Sequence, residues 1–211
     1  GIDTAAIVAN DRSTENWPSY GLNYAETRFS RLEQINADNV GKLGLAWSYD
    51  LKSRRGVEAT PLVVDGVMYV TASWSVVHAL DAATGEALWT YDPQVPREWA
   101  VKGCCDVVNR GVALHDGKVF VGAFDGFLHA IDADTGEQLW KVDTLIDRDK
   151  PYTITGAPRV INGRVIIGNG GAEYGVRGYL TAYDVKTGKQ AWRWFSVPGN
   201  PDEPFEDESM K

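Results

Sequence analysis

Short apolar runs alternate with polar turns along most of the chain, and the most regular runs lie on either side of an Asp-Gly or Asn-Gly pair. Three such segments are present: Pro61–Val70 around Asp65-Gly66, Val112–Val121 around Asp116-Gly117, and Arg159–Ile167 around Asn162-Gly163. A type I′ turn needs positive φ at both central residues, which Asp, Asn and Gly tolerate, and β-branched residues favour the flanking strands. The pattern therefore predicts three β-hairpins.

A second motif, A-x-D-x-x-T-G-x-x-x-W, recurs after each predicted hairpin. Its copies are Ala79–Trp89, Ala130–Trp140 and Ala182–Trp192, and their tryptophans are 51 and 52 positions apart. Each unit thus continues with a third strand, such as Phe127–Asp132, a Thr-Gly turn, and a fourth strand that carries the tryptophan. Four short antiparallel strands in a unit of this period predict a blade of an all-β propeller.

The repeat tryptophans are interpreted as packing residues. A large flat side chain from one blade fits where the small alanine of the repeat leaves room on the next blade. Trp47 lacks the preceding D-x-x-T-G, and it is interpreted as part of a strand that completes a blade whose other strands lie elsewhere. Propellers close with about four to eight blades, so three units and a partial one predict an incomplete propeller.

The predicted organisation has three parts. Residues 1–45 form an N-terminal segment that leads into the propeller, with short helical or turn segments at Thr4–Asn10 and Asn36–Lys42. Residues 46–197 form the blades. Residues 198–211 are proline-rich and acidic without apolar periodicity, which predicts an exposed loop or tail.

Composition and charge exclude several classes of function. The chain has 211 residues, 44% of them hydrophobic, which is typical of a folded globular protein. A net charge of −8, with no Lys/Arg cluster along the sequence, argues against nucleic acid as a partner. No apolar stretch approaches the roughly 20 residues of a membrane-spanning helix. The start, Gly1–Thr4, lacks the features of a secretory signal, so we expect that a signal was removed or that the sequence was trimmed.

The only two cysteines, Cys104 and Cys105, are adjacent. Neighbouring Cα atoms are about 3.8 Å apart, closer than the roughly 4.4–6.8 Å of ordinary disulfides. A bond between them would therefore be strained and typical of a functional disulfide; two reduced thiols are an equally open alternative. Metal binding is less favoured, because no Cys or His lies at a suitable spacing. The histidines, His78, His115 and His129, form no motif and are interpreted as surface or packing residues.

Two further features offer polar groups to a ligand. The glycine-dense segment Gly168–Gly175 contains Glu173; such a turn permits close approach of a ligand and offers a carboxylate to a cation such as Ca²⁺. A plain wide loop is the simpler interpretation of this segment. Arg110 follows the cysteines closely, and it would either hold a carboxylate with two N–H groups or be a solvated charge at a strand end.

Together these motifs resemble the pyrroloquinoline quinone (PQQ) dependent alcohol dehydrogenases, in particular their quinohaemoprotein branch. The resemblance extends in order from about Trp17 to the C-terminus. It is carried by the tryptophan repeats and by four segments, Gly56–Pro61, Cys104–Gly111, Ile154–Pro158 and Gly170–Gly178. No single motif is specific, but the set is.

The resemblance implies a propeller of about eight blades, of which this chain holds about three to four. It also implies PQQ near the axis, stacked between a tryptophan and a disulfide of adjacent cysteines. The residues that would surround the cofactor and its metal ion are Glu58, Cys104, Cys105, Arg110, Thr155, Gly170, Gly171 and Ala172 for PQQ, with Glu173 as a Ca²⁺ ligand.

Other parts of such a site are absent from this sequence. By resemblance, the stacking tryptophan, a second Ca²⁺ ligand and the catalytic aspartate belong to blades beyond Lys211. No catalytic residue is therefore assigned within the chain, and the chain alone is predicted to be inactive. No Cys-x-x-Cys-His motif is present, so a haem c would belong to a following region.

The implied function is oxidation of small primary alcohols to aldehydes in the periplasm, with PQQ and Ca²⁺ as cofactors. A cytochrome c or another redox protein would accept the electrons, and the remaining blades would complete the propeller. A non-catalytic propeller scaffold and a related quinoprotein sugar dehydrogenase are the alternatives. The pair Cys104-Cys105, Arg110 and Glu173 favour the enzyme, because a scaffold has no physical need to keep these groups together.

Overall fold

The computed structural model describes residues 2–10 and 15–210, and within them twelve strands form three four-stranded antiparallel sheets. The first sheet contains β1 (Leu62–Val64), β2 (Val67–Thr71), β3 (Val77–Asp81) and β4 (Ala87–Tyr91); the second contains β5 (Ala113–His115), β6 (Lys118–Gly122), β7 (Phe127–Asp132) and β8 (Gln138–Asp143); the third contains β9 (Arg159–Ile161), β10 (Arg164–Gly168), β11 (Tyr179–Asp184) and β12 (Gln190–Phe195). The predicted all-β fold of four-stranded blades is confirmed.

Each blade opens with the predicted hairpin, and both central residues of every turn have positive φ. The values are 50° and 82° at Asp65-Gly66, 47° and 71° at Asp116-Gly117, and 48° and 70° at Asn162-Gly163. These are the angles that a type I′ turn needs, and its twist matches the twist of the flanking strands. The local sequence therefore fixes the register of the first two strands of each blade.

The D-x-x-T-G turn between the third and fourth strands is closed by its own side chains. In the first blade Asp81 Oδ1 accepts hydrogen bonds from the backbone N–H of Thr84 at 2.8 Å and from its hydroxyl at 3.0 Å. The same bonds recur at Asp132 and Asp184. Hydrogen bonds from the threonine are the main cause of the lowered pKa of these aspartates. The Asp and Thr of the motif are thus structural residues.

Trp47, Trp89 and Trp140 each pack on the glycine of the next Thr-Gly turn along the chain. A Cβ atom added to Gly85, Gly136 or Gly188 would lie 2.5, 2.8 or 2.9 Å from ring atoms of Trp47, Trp89 or Trp140 respectively. The prediction of tryptophan packing between blades is therefore correct, but the proposed source of the space is wrong. Glycine supplies the room on the next blade, whereas the repeat alanine pairs across the strands with the tryptophan of its own blade.

Trp47 takes part in this packing although it lies outside any assigned strand. Its indole N–H donates to the Ala82 carbonyl oxygen at 3.2 Å, as the N–H of Trp89 donates to Ala133 at 2.9 Å. The indole N–H of Trp140 is buried without a partner. The first two inter-blade contacts therefore carry a hydrogen bond that the third lacks.

The hydrophobic core lies between consecutive sheets. One cluster joins the first and second sheets and includes Tyr69, Val77 and Val119, and another joins the second and third sheets and includes Phe120 and Tyr183. Each blade therefore covers one face of its neighbour, which is the packing expected for a propeller.

His129 is part of this inter-blade core. It is 2% exposed, and its Nδ1 lies 2.8 Å from the hydroxyl oxygen of Tyr91 on the preceding blade. Burial lowers the pKa of His129 to about 4. The interpretation of His129 as a packing residue is confirmed, and His78 makes a similar contact with Tyr49 at 3.4 Å.

The described part of the N-terminal segment contains one helix, α1 (Thr4–Ala9), and a short 3₁₀ turn at Val40–Lys42. Asp3 caps α1 by accepting a hydrogen bond from the Ala6 N–H at 2.8 Å. The described helices include none that is long and apolar enough to cross a membrane.

Residues 198–210 contain no strand, and Glu206 ties this segment to Arg177 on the third blade. The strands span 62–195, inside the predicted 46–197 region, and the outer boundaries of the three predicted parts remain predictions.

Candidate functional site

The topology brings two kinds of loop to one end of the blades. Because the strands alternate in direction, the segment that precedes each first strand and the loop between the second and third strands lie at the same end. We call this the site end; it includes residues 51–61, 103–112, 151–158 and 169–178. All nine predicted site residues lie on these four segments. The Asp-Gly and Thr-Gly turns lie at the opposite end.

The Arg110 side chain contacts two of the other predicted residues directly. Its Nη2 lies 2.8 Å from Glu58 Oε2, and its Nη1 donates to the Thr155 hydroxyl at 2.7 Å. The backbone follows the same order, because the Thr60 N–H donates to the Arg110 carbonyl at 3.2 Å and the Arg110 N–H donates to the Thr155 carbonyl at 2.9 Å. Hydrogen bonds and an ion pair at Arg110 therefore connect the segments that lead into three successive blades.

The side chains of Arg110 and Glu58 are 43% and 45% exposed. The guanidinium carries five N–H donors in a planar fork, and these two contacts leave others free to bind an anionic group. A flat ligand with carboxylates or carbonyl oxygens would find a rigid, half-exposed donor here. Arg110 is thus partly solvated before β5 and also held by Glu58 and Thr155, and its grip on a ligand carboxylate stays a prediction.

Cys104 and Cys105 form a disulfide, with their Cα atoms 3.7 Å apart. Of the two alternatives that the sequence left open, a disulfide and two reduced thiols, the structure has the disulfide. Both cysteines are exposed at the site end. The next residue, Asp106, anchors their loop: its carboxylate contacts Arg55 Nη1 at 2.8 Å and accepts a hydrogen bond from the Gly56 N–H at 3.2 Å.

Asp106 was not among the predicted site residues, although it lies within the motif. Its pKa is lowered, chiefly by the hydrogen bond from the Val107 N–H, with further contributions from the Gly56 N–H and Arg55. Asp106 therefore stays ionised. Through Gly56, which is two positions before Glu58, it holds the disulfide loop beside the Glu58 segment. A carboxylate directly after the cysteines, together with a basic pair earlier in the chain, was the signal in the sequence.

Asn109 was also overlooked. It is 1% exposed, its amide donates to the Gly122 carbonyl at 2.9 Å, and its side-chain oxygen accepts the Gly111 N–H at 2.9 Å. These bonds fix the backbone on both sides of Arg110. Gly111 itself has φ of 130°, and a Cβ there would lie 3.1 Å from the Thr60 carbonyl oxygen, so the close approach of the two segments requires glycine.

The glycine-dense loop is fastened beside the Thr155 segment. Gly170 pairs with Thr153, with its N–H donating to the Thr153 carbonyl at 2.7 Å. Gly171 has φ of 113°, and a Cβ there would lie 2.3 Å from the Pro151 carbonyl oxygen. Only glycine satisfies both conditions. The backbone at Gly170 and Gly171 is therefore held close to the strand-like segment that ends at Thr155.

Ala172 and Glu173 follow in a short 3₁₀ turn, Ala172–Tyr174, and both are exposed. Among residues 2–10 and 15–210, no group of three or more His, Cys, Asp or Glu side chains is placed to hold a metal ion. Glu173 is thus a single exposed carboxylate, and its role as a metal ligand stays a prediction.

Residues 17–211 match the family described as PQQ: Glucose/ethanol/alcohol dehydrogenase, beta-propeller domain. The chain belongs to this family. It is 65% identical over 210 residues to the quinohemoprotein alcohol dehydrogenase of Comamonas testosteroni, covering 100% of this chain and 30% of that protein. It is 66% identical over 195 residues to the 1-butanol dehydrogenase (cytochrome c) of Thauera butanivorans, covering 92% of this chain and 28% of that protein.

Solved structures in this family agree with the fold. The crystal structure of the Comamonas testosteroni enzyme superposes with a TM-score of 0.96 at 66% identity and covers 99% of this chain and 31% of that one. The ADHIIG enzyme of Pseudomonas putida HK5 superposes with a TM-score of 0.98 at 60% identity and covers 100% and 31%. The resemblance to quinoprotein alcohol dehydrogenases is therefore confirmed, and the chain spans about 30% of the length of these relatives.

Proposed function

We propose that this chain is the part of a PQQ-dependent alcohol dehydrogenase that holds one side of the cofactor. The observation that carries the proposal is Arg110, whose guanidinium is held between Glu58 and Thr155 at the site end, on the same loop as the disulfide of Cys104 and Cys105. Family membership and relatives named as alcohol dehydrogenases support it.

The residues present fit a flat cofactor with several carboxylates. PQQ, when bound, supplies two-electron oxidation of an alcohol. Arg110 would pair with one of its carboxylates, while Glu58 orients the guanidinium and Thr155 offers a hydroxyl. Gly170 and Gly171 carry no side chain, so their backbone N–H groups can approach a ligand closely. Cys104 and Cys105 would present the disulfide to one face of the ring.

For the metal ion, Glu173 would be one oxygen ligand of Ca²⁺. Ca²⁺ takes about six to eight oxygen ligands, so one exposed carboxylate supplies only part of the set. The other protein ligands, the second stacking residue and the general base would come from regions beyond Lys211. We accordingly propose that residues 1–211 alone bind PQQ weakly and do not oxidise alcohol.

The substrate would be a small primary alcohol and the product an aldehyde. The electron acceptor would be a cytochrome c, as the printed name of the Thauera butanivorans relative says of that enzyme. A haem c on another region would agree with the quinohemoprotein relatives. A periplasmic location is supported by the disulfide, since disulfides persist in oxidising compartments.

The test uses the intact protein that contains this chain, reconstituted with PQQ and Ca²⁺. We expect it to reduce an artificial dye with 1-butanol and to show no reduction when either cofactor is omitted. An Arg110→Lys variant should need more PQQ for half-maximal activity, and Lys118→Arg, on the far side of the blade, should not. Absence of dye reduction with every primary alcohol tried would remove the alcohol dehydrogenase proposal.

A sugar substrate is the second candidate, because the matched family description includes glucose dehydrogenases. The same assay with glucose in place of 1-butanol distinguishes the two. The relatives reported above are alcohol dehydrogenases, so we expect the alcohol to be preferred.

A further inference from the structure

A cleft of about 280 Å³ opens between the first and second blades, at the end that carries the Asp-Gly and Thr-Gly turns and away from the candidate site. Its apolar floor belongs to the core between these two blades and includes Val67, Tyr69 and Leu114. Its rim carries the carboxylates of Asp65, Asp116 and Asp134. We call it the turn-end cleft.

The rim of the turn-end cleft is more acidic than basic. Within the described part of the chain, none of its three carboxylates takes part in a salt bridge. Of the described residues that line the cleft, only Lys118 carries a positive charge, and its ammonium donates to the Asp116 carbonyl oxygen at 3.2 Å. His115 adds no charge at neutral pH, because burial lowers its pKa. The cleft therefore keeps a net negative charge.

The Tyr69 hydroxyl has no hydrogen-bond partner among residues 2–10 and 15–210, although Tyr69 is only 6% exposed. Burial raises the pKa of Tyr69, and the carboxylates of Asp134 and Asp65 raise it further. The hydroxyl therefore stays protonated and faces the acidic rim of the cleft that Tyr69 lines. An unpaired polar group in such a position costs free energy, which a ligand that pairs with it recovers.

The second blade shows that packing does not require this hydroxyl. Phe120 is the equivalent of Tyr69, since each pairs across the strands with the alanine of its own repeat. The Tyr69 ring lies 6.0 Å from the Trp89 ring, and the Phe120 ring lies 5.7 Å from the Trp140 ring. The two aromatic pairs are therefore alike, and the hydroxyl of Tyr69 has no counterpart in the second pair.

The acidic rim is not required by the turns either. The third blade has Asn162 where the second blade has Asp116, and Lys186 where the second blade has Asp134. Both turns still form, with the same hydrogen bonds from the threonine of the motif. The negative charge therefore belongs to the junction of the first and second blades and is not part of the repeated closure.

We propose that the turn-end cleft binds a small organic cation, a primary ammonium group on a short apolar chain. The ammonium would donate to the Tyr69 hydroxyl and to the Asp134 carboxylate, and the chain would cover the apolar floor. Apolar walls with a few convergent polar groups are typical of small-molecule sites. The proposal does not depend on the proposed function, because the cleft lies at the opposite end of the blades from the candidate site.

The test is a calorimetric titration of the intact protein with n-hexylammonium chloride. We expect saturable binding, and methylammonium should bind at least about tenfold more weakly because it lacks the apolar chain. Hexanoate, which has a chain of the same length and the opposite charge, should not bind at the cleft.

The variants use residues that other blades carry at the equivalent positions, so we expect them to fold. Tyr69→Phe should weaken hexylammonium binding about fivefold, and Tyr69→Phe/Asp134→Lys more than about tenfold. The control Glu137→Lys makes the same charge change in the same turn, at the position where the third blade has Lys189. Because Glu137 does not line the cleft, the control should change the affinity less than about twofold.

Three results would overturn the proposal: no saturable binding of hexylammonium in the millimolar range, equal binding of hexanoate, or equal losses in Glu137→Lys and the cleft variants. The titration is repeated after addition of PQQ and Ca²⁺, which should leave the Kd unchanged. Loss of hexylammonium binding on addition of PQQ would locate the cation at the candidate site and would also overturn the proposal. Because no step of this test needs turnover, failure of alcohol oxidation would count against the proposed function alone.

Discussion

Replacing Gly136 by alanine tests whether the inter-blade tryptophan contact depends on glycine. Gly136 has φ of 76°, and an added Cβ would lie 2.8 Å from ring carbons of Trp89. Alanine in the left-handed region costs about 1–2 kcal/mol. Since carbon atoms pack at about 3.5–4.0 Å, the ring must also withdraw by roughly 1 Å, which costs about 1–3 kcal/mol. We expect the free energy of unfolding to fall by about 2–5 kcal/mol in all.

Gly117→Ala is the matched control in the same blade. Gly117 has φ of 71°, and an added Cβ would meet nothing within 4 Å. Only the backbone cost of about 1–2 kcal/mol should appear. Urea denaturation of both variants, alone and combined with Trp89→Ala, isolates the contact as a double-mutant cycle. The reasoning is refuted if Gly136→Ala is no more destabilising than Gly117→Ala, or if removal of the indole does not reduce its cost.

Three other outcomes are expected. Arg110→Lys should raise the Kd for PQQ of the intact protein about tenfold in a fluorescence titration, because a lysine cannot contact Glu58 and a ligand carboxylate with one planar fork. The pKa of His129, about 4, lies below the ordinary value of about 6.5. The unfolded chain therefore takes up the proton first as pH falls, and about 3 kcal/mol of stability is lost between pH 6.5 and 4; urea midpoints of His129→Gln should show a weaker pH dependence. Glu206→Gln should speed limited proteolysis of residues 198–208, since it weakens the contact with Arg177.

Local turn chemistry made the blades predictable from sequence. Asp-Gly and Asn-Gly strongly favour a type I′ turn, and the side chains of the repeated D-x-x-T-G form hydrogen bonds within their own turn. The backbone conformation at these positions therefore depends little on the rest of the fold. The space under each tryptophan was harder to assign. The alanine and the glycine of the motif are both small, and only the three-dimensional offset between blades shows that Gly136, and not Ala130, lies beneath Trp89.

The sequence predicted which residues belong to the candidate site, but not which of them contact one another. Resemblance named Glu58, Arg110 and Thr155, yet nothing in their spacing shows that one guanidinium touches both of the others. The sequence places Lys52, Arg54 and Arg55 close together, but only the fold shows that Arg97, more than 40 positions away, lies beside them.

Stability and chemistry occupy opposite ends of these blades. The self-contained turns and the glycines beneath the tryptophans lie at the end away from the site, and they repeat from blade to blade because each blade needs the same closure. The site end has no such repeat: its equivalent loops present Trp74 in the first blade, Asp125 in the second and Glu173 in the third. The turns and the glycine–tryptophan contacts that hold the blades together do not involve these loops. Each loop can therefore carry a different functional group. A change of the half-exposed Arg110 side chain should therefore cost more binding than stability, because the backbone bonds between the segments at Arg110 remain, whereas Gly136→Ala should show the reverse.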